Sequence, residues 1–182
     1  FLIMPDNVIP EINLRAPEPE DLDLLYVWEN DPEVWIVGQT ITPFSRVILK
    51  QYLQHAHKDI YEIKQQRLMI DLDSPSGPVT IGTIDVFDFD PVNQRAGVGI
   101  LIAEKNYRGK GVGKAALNQM IIYAFDYLQL HQLYCNIRAD NEVSLQLFKG
   151  SGFQIVGKKR DWIRSGNIYH DEYLLQLINP DH

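Results

Sequence analysis

The chain has 182 residues, with 24 Asp and Glu against 17 Lys and Arg, and a formal net charge of −7. At this length one domain with a sizeable core is expected, and 45% hydrophobic with 23% charged residues excludes a disordered chain. The single cysteine, Cys135, excludes an internal disulfide and a multi-cysteine zinc site, and no apolar run reaches the ~18–20 residues of a membrane span.

In chain order, residues 1–11 read as an N-terminal tail. FLIMPDNVIP is apolar, but it lacks a basic leader and holds two prolines, so it is a poor signal peptide. INLRAP (12–17) predicts a short strand stopped by proline. Pro19, Glu20 and Asp21 open a helix that runs to about Asn30, with acids where the helix dipole favours them. Asp31-Pro32 reads as a break, followed by a loop with Trp35 and Gly38 and then a second helix over about 44–58.

Three strands follow, at 67–72, 79–89 and 94–103, joined by turns at 74–78 and 90–93, which is an antiparallel meander. A long helix over 111–129 carries Val112, Ala116, Leu117, Met120, Ala124 and Phe125 at spacings of three and four. A strand at 133–138, a short helix at 141–150 and strands at 153–157 and 168–177 complete the order, with 180–182 as a C-terminal tail. The expectation is an α+β fold over 12–179: a mixed, mostly antiparallel sheet of about seven strands with helices on both faces.

Charge is unevenly placed. Residues 1–94 hold 16 acids and 6 bases, and residues 95–164 hold 5 acids and 11 bases. The sharpest motif lies in the basic part, between a strand and a helix: Tyr107-Arg108-Gly109-Lys110-Gly111-Val112-Gly113-Lys114. Alternate glycines turn the backbone and uncover its N–H groups at a helix N-terminus, and Lys105, Arg108, Lys110 and Lys114 add positive charge. Together these predict a pyrophosphate cradle. A Walker A loop fails because Arg108 stands where its first glycine belongs and Ala115 replaces the hydroxyl. A dinucleotide fingerprint fails because Lys114 stands where the third glycine belongs. The basic cluster coincides with this cradle, so nucleic acid is not expected. The five histidines show no ligand spacing, and no metal is expected.

The R-G-K-G-V-G loop resembles the Q/R-x-x-G-x-G/A acetyl-CoA loop of the GCN5-related N-acetyltransferase (GNAT) superfamily. Arg138-Ala139-Asp140-Asn141-x-x-Ser144 and Leu147-Phe148-Lys149-Gly150-Ser151-Gly152-Phe153 resemble that family's N-x-x-S/A…L-Y/F-x-x-x-G-F segment. Residues 14–30 resemble the branch with ribosomal-protein N-terminal and spermidine acetyltransferases. The resemblance implies the GNAT fold and acetyl-CoA as co-substrate, with direct transfer of acetyl to an amine in a ternary complex.

It implies that Leu101, Ile102 and Ala103 pair with pantetheine, and that Arg108, Gly109, Lys110, Gly111, Val112, Gly113 and Lys114 bind pyrophosphate. Asn141, Ser144, Phe148 and Lys149 are further cofactor-binding residues on this reading. A backbone N–H near Gly99–Leu101 is the expected oxyanion donor. Glycines 97 and 99 either permit a bulge or make room for packing.

Two departures matter. Gly97 stands where many relatives carry a glutamate base, so Asp85 and Asp88 on the neighbouring strand are the candidates. Three apart, they face opposite ways unless a bulge intervenes. Phe148 stands where the family often has an acid tyrosine, leaving Ser144 and Tyr134 as stand-ins.

The acceptor wall implied by the fold holds Trp28, Glu29, Glu33, Trp35, Asp85, Asp88, Trp162, Tyr169 and His170. Carboxylates with aromatics suit a cationic amine. The acceptors considered are a polyamine such as spermidine, a peptide N-terminus, or an amino sugar such as an aminoglycoside. A catalytically weak CoA-binding sensor is the reading outside enzymes. A cytoplasmic location is expected, and the resembling branch makes a homodimer or higher oligomer the expected assembly.

Overall fold

Period-two patterning over residues 66–102 produces three consecutive antiparallel strands, the centre of a seven-stranded sheet. The computed structural model describes residues 11–38 and 42–181. Most of the expected N-terminal tail, part of the loop after Gly38 and residue 182 lie outside them. The strands are β1 (Ile12–Arg15), β2 (Gln66–Leu72), β3 (Val79–Asp90), β4 (Arg95–Ile102), β5 (Gln132–Arg138), β6 (Gln154–Ser165) and β7 (Ile168–Ile178). Their spatial order is β1-β2-β3-β4-β5-β7-β6. Every neighbouring pair is antiparallel except β4 and β5, which are parallel and joined through a helix. The mixed sheet with helices on both faces follows the expectation.

The helices are α1 (Leu22–Glu29), α2 (Pro32–Gly38), α3 (Arg46–His55), α4 (Ile60–Ile63), α5 (Val112–Ile122) and α6 (Glu142–Gly150). Strand alternation sorts them into two cores. Ile70, Ile84, Val86 and Val98 face α5 and α6 and join Leu117, Met120, Leu133 and Leu175 in the larger core. Met69 faces the other way and packs with Leu25 and Trp28 of α1 and Leu49 and Leu53 of α3. The sheet therefore carries α1 and α3 on one face and α5 and α6 on the other.

Four boundaries differ from expectation. Asp31-Pro32 does not open a loop but starts α2: the Asp31 carboxylate accepts the Glu33 N–H at 2.9 Å, and Pro32 takes the first helical position. The helix expected over 44–58 ends at His55, and Asp59 caps the separate short α4 by accepting the Tyr61 N–H. The long helix leaves α geometry at Tyr123. Residues Tyr123–Tyr127 form a π-turn, closed by the Leu128 N–H on the Tyr123 carbonyl at 3.1 Å. The wider turn keeps Ala124 and Phe125 in the core while the Tyr123 hydroxyl reaches Gln66. Finally, β6 runs to Ser165 rather than 157, because its second half pairs with the start of β7 across Gly166.

Candidate active site

Among the described residues the one parallel contact in the sheet is short. Arg95, Ala96 and Gly97 of β4 pair with Gln132, Leu133 and Tyr134 of β5, and no pairing follows. Beyond Gly97 the β4 backbone groups that point away from β3 have no strand beside them. The gap is a cleft of about 790 Å³ through the sheet. Its edges are residues 98–101 of β4 and 135–138 of β5. Ser144 and Phe148 of α6 line it on one side, and Thr83, Asp85 and Phe87 of β3 on the other.

Of the three residues expected to pair with a pantetheine, Leu101 lines the cleft. The Ile102 carbonyl accepts the Arg108 Nε–H at 2.8 Å, and the Ala103 N–H donates to the Ile81 carbonyl at 3.0 Å. Asn141 caps α6, its Oδ1 accepting the Ser144 N–H at 3.1 Å, and this points Ser144 and Phe148 along one helix face. Phe148 is buried edge-on against Phe153, with centroids 5.1 Å apart. Lys149 is exposed on the opposite side of the turn.

The glycine loop meets the helix as its spacing predicts. Gly109 and Gly111 have φ of +72° and +80°, and Gly111 is the N-cap of α5. The first helical bond is the Ala115 N–H on the Gly111 carbonyl at 3.0 Å. The N–H groups of Val112, Gly113 and Lys114 therefore have no carbonyl within the helix to reach, and they sit at its positive end. Lys110 and Lys114 stand exposed here, whereas Lys105 is paired with Glu33 at 2.8 Å. Helix-end N–H groups and two exposed lysines, Lys110 lying over the Tyr107 ring, are what an anion would meet here.

On the other side of the sheet the carboxylates are paired. Arg67 of β2 lies beside Asp85 of β3 and donates to both its oxygens, at 2.6 and 3.1 Å. Its remaining nitrogen donates to Glu29 at the end of α1. Burial opposes the charge of Arg67, but Asp85 and Glu29 outweigh it and raise its pKa above the usual arginine range. Asp88 does not share this cluster. A bulge between Phe87 and Asp90, with Asp88 at φ +48°, turns it toward β5, where it accepts the Tyr134 hydroxyl at 3.0 Å. Burial, then Asp88 as acceptor, pushes the Tyr134 pKa up to about 12, so the phenol keeps its proton at neutral pH.

Gly97 and Gly99 keep regular pairing with Phe87 and Asp85, so the bulge is on β3 and not at the glycines. Gly97 instead makes room for a ring: a Cβ there would sit 2.2 Å from Phe87 Cε2.

The structure spreads the expected acceptor wall widely. Trp28 is a core residue, 5% exposed, with its indole N–H on Glu104. Trp35 donates its indole N–H to the Glu29 carbonyl. Trp162 is an exposed residue on β6 under Lys159, and Tyr169 is exposed on β7. His170 pairs with Asp140 at 3.2 Å. Of the wall, Glu29 and Asp85 line the cleft.

The acidic N-terminal half is not an open field either. Asp21 and Asp71 are buried on Arg15, and Asp23 pairs with Arg46. Residues that sequence reasoning did not single out include Arg67, Phe44 and Phe87, which line the cleft, and Glu172, buried there and paired with Lys159. Arg67 carries one signal, an arginine just ahead of the run LMIDL in the strand QRLMIDL.

Among the described residues no cluster of His, Cys, Asp or Glu could hold a metal, and no helix is long and apolar enough to cross a membrane. Comparison with known proteins agrees with the geometry. The family described as Acetyltransferase (GNAT) domain matches residues 11–154. An uncharacterized N-acetyltransferase of Bacillus licheniformis is 28% identical over 171 residues, 94% of each chain. A spermidine N(1)-acetyltransferase of Escherichia coli is 25% identical over 150 residues, 81% of this chain and 75% of that one. The fold matches the crystal structure of a spermidine N-acetyltransferase from Vibrio cholerae in complex with CoA and spermine, with TM-score 0.82 and 21% identity over 92% of this chain and 95% of that one. The chain belongs to the GNAT acetyltransferase family and is an acetyl-CoA-dependent N-acetyltransferase.

Proposed function

We propose that the enzyme acetylates the primary amine of a small cationic acceptor by direct attack within a ternary complex. The observation that carries this is the β4–β5 gap: a cleft through the sheet with the anion-binding loop on the strand that forms its edge and a carboxylate cluster on its far side. The Arg108 N–H is spent on the Lys105 carbonyl at 3.1 Å, so on this reading the CoA pyrophosphate binds the N–H groups at 109–114, with Lys110 and Lys114 adding charge. The pantetheine lies along 98–101 and takes up strand hydrogen bonds that β5 does not make. Ser144, Phe148 and Asn141 form the wall beside it, and a β4 backbone N–H near Gly99 receives the developing oxyanion.

A free alkylamine has a pKa near 10.4, so the ammonium must lose a proton before it attacks. Of the carboxylates that line the cleft, Glu29, Asp85, Asp140 and Glu172, Asp85 lies on the strand beside β4, and it accepts that proton directly or through water. Asp88 and Tyr134 sit at the vertex where the strands part, and the protonated phenol orients Asp88. The amine nitrogen attacks the thioester carbonyl carbon, the C–N bond forms, and the C–S bond breaks. The thiolate leaves and takes a proton from Ser144 or water, since Phe148 has none to give. Holding donor and acceptor together supplies most of the acceleration.

The test is incubation with acetyl-CoA and an amine panel, reading acetylated products by mass spectrometry and free CoA by thiol titration. Stoichiometric amide and thiol are expected. Tight acetyl-CoA binding without amide from any amine would support the sensor reading instead.

A further inference from the structure

A second cavity, of about 460 Å³, adjoins the cleft and shares Glu29, Phe44, Arg67, Asp85 and Phe87 with it. The rest of its wall is Ile48, Leu49 and Tyr52 of α3, Val86 of β3 and the amides of Gln65 and Gln66. Among the described residues lining this chamber, Glu29, Asp85 and Arg67 are the charged ones. Two carboxylates against a guanidinium that never titrates leave one net negative charge at the junction of chamber and cleft. The guanidinium is fixed there by three hydrogen bonds to those carboxylates. Other acids near the site are committed elsewhere: Glu33 to Lys105, Glu172 to Lys159, Asp140 to Arg138 and His170.

We infer that the acceptor is a monoamine with an apolar or aromatic body rather than a polyamine. This rests on the acetyl-transfer reading and names its substrate class. The ammonium meets the open edges of Glu29 and Asp85 at the junction, and the body fills the chamber against Phe44, Tyr52 and Phe87. One positive charge matches the one net negative charge. A second or third ammonium along the same chain would lie against Ile48 and Leu49 with no carboxylate to pair, and Arg67 would repel it.

The experiment compares kcat/KM for phenethylamine and for spermidine at saturating acetyl-CoA, in the wild type and in Ile48→Glu. Ile48 is half exposed at the chamber wall, so a carboxylate is tolerated there without loss of fold, and circular dichroism checks this. Wild type should favour phenethylamine by about tenfold or more, the worth of burying roughly two methylene groups. Ile48→Glu should shift the ratio toward spermidine by a similar factor, because it adds the second uncompensated carboxylate. A wild-type preference for spermidine, or a ratio that Ile48→Glu leaves unchanged, overturns this inference and leaves acetyl transfer standing. Turnover of neither amine overturns this inference, while the transfer reading on which it rests falls only if the whole amine panel gives no amide.

Discussion

Gly97→Ala tests how the cleft is shaped. The added Cβ would stand 2.2, 2.5 and 2.8 Å from three atoms of the Phe87 ring, all inside the contact distance of carbon. The ring meets Tyr134 edge-on at 6.0 Å and borders both cavities, so it can give way only by swinging into them. Overpacking of this kind costs about 1–3 kcal/mol. At roughly 2–4 °C per kcal/mol for a chain of this size, Tm should fall by about 2–12 °C. In a Phe87→Ala background the same change meets empty space, so Gly97→Ala should then cost under about 0.5 kcal/mol. The assay is a double-mutant cycle by denaturant unfolding, with kcat/KM as a second readout, since a displaced ring narrows the chamber. A coupling energy near zero would refute the claim that Phe87 occupies the space a side chain at 97 would need. The same steric argument explains why a base cannot sit at 97 while Phe87 is present.

Arg15→Met should destabilise by about 3–5 kcal/mol in urea unfolding, because Asp21 and Asp71 are buried and would lose their shared partner. Burial opposes ionisation of Asp21, but hydrogen bonds from Arg15 and the Glu18 N–H outweigh it and hold its pKa below the usual range. Its contribution is therefore present above the unfolded value near 3.9 and is lost as pH falls through the lower folded value. Unfolding midpoints measured from pH 6 downward should drop in acid less steeply for Asp21→Asn than for wild type, and parallel curves would contradict this. Gly111→Ala places a Cβ at φ +80°, which costs about 1–2 kcal/mol at the first turn of α5 and should weaken acetyl-CoA binding in calorimetry. Phe148→Tyr should change kcat by no more than about twofold if proximity dominates, whereas a rise of tenfold or more would show that a missing acid limits the enzyme.

Much of the fold is legible because it depends on local pattern. The meander of β2, β3 and β4 follows from alternation and two Pro-containing turns, and α5 from its apolar stripe. The glycine loop is legible because positive φ and helix-end N–H groups need particular residues. Errors arise where one dipeptide serves two purposes. Asp31-Pro32 reads as a stop, yet an aspartate cap with proline at the first position is also how a helix begins, and here it begins α2. The bulge at Asp88 has no glycine to announce it. The ion-pair cluster is least legible, since Arg67 meets Asp85 and Glu29 from 18 and 38 residues away. Counting acids along the chain suggests a negative N-terminal half, while the folded structure pairs Asp21, Asp23, Glu29, Glu33, Asp71 and Asp85 with cations. Trp28 shows the same limit: an aromatic beside acids reads as a cation site, but its position on α1 points it into the core.

The central claim is that CoA lies in the gap that opens after Gly97. A crystal structure of the complex with CoA tests it most directly. The account predicts the pantetheine between residues 98–101 of β4 and 135–138 of β5, the pyrophosphate on the N–H groups at 109–114, and the sulfur facing Ser144 and Asp85. CoA bound outside the gap, or β4 and β5 paired along their full length in the complex, would contradict it.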